Sequence, residues 1–180
     1  MKTKLRYLGA SFLALTLLGA AQTDQNSPRV QERIQKEVRH ELVMLPYFGV
    51  FDNLAFKVDG TSVTLLGQVS RPVTKSDAEN SVKHIEGVDK VDNQIEVLPP
   101  SPMDDRIRIR LYHAIYGYGP LEKYALGVQK PIRIIVKNGH VALEGVVDNV
   151  GDKNIAGIRA NGVSGIFSVA NNLVVTKPDK

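Results

Sequence analysis

The chain matches itself. Slid by 78 residues, Val63, Leu65, Gly67 and Val69 fall on Val141, Leu143, Gly145 and Val147, and no gap is needed as far as Val97 on Val175. Along the way Lys75 meets Lys153, Ala78 meets Ala156, Gly87 meets Gly165, and Val91 and Asn93 meet Val169 and Asn171. Upstream, Ile34, Val38 and Leu42 match Ile107, Leu111 and Ile115 at a shift of 73, so the second copy carries five extra residues in between. A register of this kind marks a duplicated module, and each copy has to fold the same way.

The order within a copy follows from hydrophobic period and turn residues. In 30-VQERIQKEVRHELVML-45, Ile34, Val38, Leu42 and Leu45 form one helical stripe that Pro46 ends. Two strands, 54-LAFKV-58 and 63-VTLLGQV-69, flank the Asp59-Gly60 turn, a hairpin signal. A helix over 75–86 turns Ala78, Val82 and Ile85 inward and stops at Gly87, and 91-VDNQIEV-97 closes the unit as an alternating strand. In the second copy 106-RIRIRL-111 alternates like a strand, but its match to the first copy predicts a helix. The expected fold class is α+β: two tandem α-β-β-α-β modules, each a three-stranded mixed sheet with two helices on one face. They occupy 29–98 and 103–177, joined by the stiff proline-rich linker 99–102. Gly67 and Gly145 lie inside strands, where glycine weakens packing. The expected reason is close approach of a helix, with Ala78 and Ala156 as small partners.

Residues 1–21 read as a secretory signal peptide. Lys2, Lys4 and Arg6 precede the uncharged run Leu8–Leu18, and Gly19-Ala20-Ala21 offers a cleavage site. The run is shorter than the roughly 20 residues a membrane span needs. Without that segment the chain has 20 basic and 19 acidic residues, nearly neutral. There is no cysteine, so disulfides and thiolate metal sites are excluded.

The pattern of a turn glycine, V-x-L-x-G-x-V, a helix alanine and G-V-x-x-V-x-N-x-I resembles the BON domain. Here it is Gly60, 63-VTLLGQV-69, Ala78 and 87-GVDKVDNQI-95, then Gly139, 141-VALEGVV-147, Ala156 and 165-GIFSVANNL-173. The residues shared with the family, Gly60, Gly67, Ala78, Gly87, Asn93, Gly139, Gly145, Ala156, Gly165 and Asn171, are structural. The resemblance implies a periplasmic or cell-envelope protein that binds phospholipid and supports envelope integrity under osmotic or general stress. It carries over no catalytic set.

No constellation for chemistry stands out. His40, His84, His113 and His140 are far apart, three on solvated helix faces and the last at a turn, with no metal-ligand spacing. Asp104-Asp105 reads as acid favouring a helix N-terminus. The stretch 73-VTKSD-77 lacks the glycine a phosphate loop needs, and Gly117-Tyr118-Gly119 runs into proline. The expectation is a non-enzyme with no cofactor, no metal and no small-molecule substrate.

Charge separates the copies. Residues 29–98 hold nine basic and eleven acidic residues, net −2, whereas 103–180 hold eleven and seven, net +4. The second module therefore suits an anionic surface. The candidate lipid-binding residues are Arg106 and Arg110 on one helix, Tyr116, Tyr118, Leu121, Lys123 and Tyr124 in the expanded loop, and Lys130 and Arg133 after it. Tyrosine beside lysine fits a headgroup layer. In the first copy 47-YFGVF-51 takes the corresponding place and reads as core. The second partner class is an envelope protein or unfolded client, held chaperone-like by strand addition at a sheet edge. Export and near-neutral charge argue against nucleic acid.

Overall fold

The computed structural model describes residues 27–176, so the expected signal peptide lies outside the described residues. The first module runs α1 (Pro28–Val43), β1 (Asn53–Asp59), β2 (Ser62–Val69), α2 (Pro72–Lys83), β3 (Lys90–Asn93) and β4 (Glu96–Val97). The second runs α3 (Pro102–Tyr116), a 3-10 helix (Gly119–Ala125), β5 (Ile132–Lys137), β6 (His140–Val147), α4 (Val150–Asn161), β7 (Ser168–Asn171) and β8 (Val174–Val175). In each, the hairpin pairs antiparallel, and the last strand lies parallel to the middle one in two pieces. The fold is the expected tandem α+β arrangement, and 106–111 is helical.

The final strand breaks at an asparagine in both copies. Asn93 Nδ2 donates to Lys75 O of α2 (3.0 Å), and its Oδ1 accepts the Ile95 N–H (3.2 Å). Asn171 repeats both bonds with Lys153 O (2.7 Å) and the Leu173 N–H (3.4 Å). One side chain thus ties the sheet to the helix and turns Ile95 or Leu173 into the core, where each is 1% exposed. The cores are the predicted stripes: Ile34, Val38 and Leu42 over Val63 and Leu65, and Ile107, Leu111 and Ile115 over Val141 and Leu143. Ala78 and Ala156 are fully buried.

The strand glycines have a different reason from the expected one. Gly67 and Gly145 adopt φ of 114° and 108°, and a Cβ there would lie 2.0 Å from the carbonyl oxygen of Asn53 or Pro131 on the facing strand. The close neighbour is backbone, not a helix, and the conformation is one that L side chains rarely adopt. Asp104 also departs from its expected role. Only 1% exposed, its carboxylate accepts the N–H groups of Asn138 and Gly139 (both 2.8 Å) and so holds the β5–β6 turn against α3. The cap of α3 is Ser101, whose Oγ accepts the Asp104 N–H at 3.2 Å.

The segment 47-YFGVF-51 corrects another expectation. Tyr47 is 51% exposed, and Val50 and Phe51 pack against the core of the second module rather than their own. Asp52, 1% exposed, fixes this loop by accepting from Gly49 N (2.9 Å) and from the Ser70 N–H and hydroxyl (2.6 and 2.8 Å). The loop then reaches β5: Val50 O accepts the Ile134 N–H (2.9 Å), and Gly49 O accepts from Arg133 Nη1 (2.9 Å). Gln129 to Val43 O (3.0 Å) and the Lys137–Glu96 ion pair (2.5 Å) complete the junction between the modules.

Candidate membrane-facing surface

The nine candidate lipid-binding residues separate into two groups. Six of them are committed to the fold. Leu121 is fully buried, and Tyr116 and Tyr124 are 4% and 6% exposed: Tyr116 closes α3, and the 3-10 helix folds Leu121 and Tyr124 back against α3 and α4. These three are core residues, not surface anchors. The Tyr116 hydroxyl donates to Ile132 O, and burial pushes its pKa above the usual phenol range. Lys123 bridges Asp148 (2.9 Å) and Asp152 (2.7 Å), while Tyr124 donates to Asp152 at 2.6 Å. The bond to Asp152, then that to Asp148, raises the Lys123 pKa. The same bond holds Asp148 below the ordinary carboxylate range. For Asp152, burial pulls upward, but the Lys123 and Tyr124 bonds outweigh it, and the net shift is downward. Lys130 Nζ donates to Ala125 O and Gly127 O. Arg133 lies 4.3 Å over the Phe48 ring at the junction, where burial lowers its pKa. These cations are spent inside the molecule.

Arg106, Arg110 and Tyr118 remain at the surface. Tyr118 is 38% exposed beneath the Arg159 guanidinium at 4.8 Å. Arg106 and Arg110 sit one turn apart on the outer face of α3, where Met103 (45% exposed) and Ile109 (54%) line a shallow hollow with them. Neither arginine has an acidic partner among the described residues: Arg106 touches Met103 Sδ at 3.6 Å, and Arg110 donates to Ser164 Oγ at 3.0 Å. Phe167 is also exposed, at 78%, with its ring beside Gly139 and His140 and its N–H donating to Gly139 O (2.9 Å).

Met103, Ile109 and Phe167 did not stand out in the sequence, although a signal for two of them exists. In a helix, Ile107 and Ile109 are about 200° apart, so with Ile107 inward Ile109 must point out. The copies also differ at the matching places. Ile109 corresponds to Lys36, Arg110 to Glu37 and Phe167 to Asp89. In the first module that face is neutralised by the Arg33–Glu37 pair at 3.1 Å. In the second, the acid has become arginine and two polar positions have become apolar. Among the described residues no group of acids and histidines is arranged to hold a metal.

The BON domain family model matches residues 31–99 and 123–177, most of the described chain. The chain is a tandem BON-domain protein. BON domains are a phospholipid-binding family typical of the periplasm and envelope and generally non-catalytic. In this BON protein no helix among the described residues is long and apolar enough to cross a membrane. Curated proteins give no significant match. Among solved structures, CdsD, a structural protein of the type III secretion system of Chlamydia trachomatis, aligns at 13% identity over 82% of this chain and 94% of that one, with a TM-score of 0.33. The CdsD C-terminal domain aligns at 12% identity over 79% and 96%, also at 0.33. Scores this low carry no argument about function.

Proposed function

We propose that the protein is a non-catalytic exported envelope protein whose second module docks on anionic phospholipid through the outer face of α3, supporting envelope integrity under osmotic or general stress. The observation behind this reading is the pair Arg106 and Arg110, without an acidic partner among the described residues, set beside exposed Met103 and Ile109. Each basic residue near an anionic membrane contributes about 1 kcal/mol, so the two arginines supply about 2 kcal/mol. The apolar side chains add to this by leaving water. Such binding is weak, reversible and sensitive to salt.

The test is co-sedimentation of residues 22–180 with vesicles of neutral lipid and of neutral plus anionic lipid, at low and high salt. Binding to the anionic vesicles alone, reduced by salt and lost in an Arg106→Glu, Arg110→Glu variant, is the expected result. Binding indifferent to salt and to that variant would refute it. Charge reversal at Lys123 or Arg133 is not an equivalent test, since both hold the fold together.

A further inference from the structure

The two modules treat the same sheet edge differently. In the second, each outward-facing residue of β5 has one backbone group engaged: Ile132 O accepts from the Tyr116 hydroxyl, Ile134 N–H donates to Val50 O, and Val136 O accepts from Arg108 Nη2 at 2.7 Å. Beneath them Ile132, Ile134 and Val136 are fully buried. The first module has the same ladder in the same phase, with Phe56 opposite Leu65 as Ile134 is opposite Leu143. Its outward groups are therefore Leu54 O, Phe56 N–H and Val58 O. The residues that would engage them are missing. Val43 stands where Tyr116 does and has no hydroxyl; Gln35 stands where Arg108 does and makes no such bond; and among the described residues no segment plays the part of Val50. Leu54, Phe56 and Val58 stay partly exposed, and an open groove runs along them under Gln35 and Arg39. An edge left like this is a template for another strand.

The groove indicates its occupant. At the other module's edge a turn, Gly49–Asp52, presents the Val50 carbonyl and apolar side chains, whereas the unbroken row of open backbone groups along β1 fits an extended segment. The β1 groove joins the cleft between the modules, since Arg39, Leu54 and Phe56 line both. Its cations, Arg39 and Lys57, make no ion pair among the described residues, and Arg39 lies over the Phe56 ring at 5.9 Å. We propose that the open edge of β1 is a strand-addition site for an extended peptide that alternates apolar and acidic residues. The peptide backbone takes the Phe56 N–H, its apolar row covers Leu54, Phe56 and Val58 beside the Arg39 stem, and the carboxylates of its opposite row meet Lys57. This site is separate from the α3 surface and does not depend on lipid binding.

The probe is an acetylated, amidated hexapeptide alternating glutamate and valine, titrated into isotope-labelled residues 22–180 and followed by amide NMR. Shifts confined to β1 and its groove, slower hydrogen exchange at Phe56 and no change at Ile134 are expected. N-methylation of alternate peptide nitrogens should abolish the effect. An Arg39→Glu, Lys57→Glu variant with an unchanged spectrum elsewhere should bind about tenfold more weakly. Absence of β1 shifts at millimolar peptide, or equal binding of a lysine–valine peptide, would overturn the proposal. A doubled mass by sedimentation with Phe56 already protected would also overturn it, giving the edge to a second copy of the chain.

Discussion

Replacing Gly145 with alanine tests why the duplicated strands keep a glycine. Two costs follow from the geometry. The φ of 108° is a region where a non-glycine residue is strained by about 1–3 kcal/mol. The new Cβ would also sit 2.0 Å from Pro131 O, well inside any tolerable contact, so β5 must move away from β6. That movement sacrifices the Val146 N–H bond to Pro131 O and strains its neighbours, at about 1 kcal/mol per bond lost. Alanine returns about 0.4–1 kcal/mol by restricting the unfolded chain, which leaves a net loss of about 1–3.5 kcal/mol. Urea unfolding of residues 22–180 by far-ultraviolet circular dichroism measures it, and hydrogen exchange of the β6 amides assigns it to the second module. Gly67→Ala should behave alike in the first module, where Asn53 O takes the place of Pro131 O. A loss below about 1 kcal/mol, or rescue by Ala156→Gly, would refute this and restore close helix approach as the cause.

Three further outcomes are expected. Asp104→Ala should cost about 3 kcal/mol or more in urea unfolding, because two backbone N–H groups lose a charged acceptor at about 1.5–3 kcal/mol each; it should also speed exchange at Asn138 and Gly139. Burial raises the Tyr116 and Tyr124 pKa values, so their stabilising effect is intact below the usual phenol value near 10 and is lost as pH rises through the folded values. Tyrosine absorbance should therefore titrate in two steps, the later coinciding with alkaline unfolding, and Tyr116→Phe should remove part of the later step. At the acid end, the lowered Asp148 and Asp152 values give stability that is present above the ordinary carboxylate range and lost as pH falls below it. A single tyrosine step near pH 10 with the fold intact would contradict this burial.

The architecture was legible because duplication resolves what local pattern leaves ambiguous. Taken alone, 106-RIRIRL-111 alternates like a strand; laid on Arg33–Val38 it is a helix. The break at Asn93 and Asn171 was not legible, since a strand interrupted by two residues keeps its alternation. The surface was read less well, for a physical reason. Tyr116 and Tyr124 have the same amphipathic character whether they cover a core or enter a headgroup layer; the hydroxyl bond to Ile132 O decides it for Tyr116 and the 3-10 helix for Tyr124. The partners of Lys123 and Arg133 lie far along the chain, at Asp148, Asp152 and Gly49, and composition cannot assign such pairs. Arg106 and Arg110 were visible because helical spacing is local. Ile109 follows from helical phase, and it and Phe167 stand out when the copies are compared; Met103 lies on apolar Val30 and leaves no such signal.

The loop that carries Val50 into the β5 edge gives the duplication a direction. A module of this kind can offer a loop to its successor and accept one from its predecessor. The second module accepts but has nothing left to offer, because its corresponding loop is wound into the 3-10 helix with Leu121 and Tyr124 inside. The expanded loop therefore works as a terminator: a third copy placed after the second would find its first strand uncapped. Among the described residues, the first strand of the first module has no such loop against it.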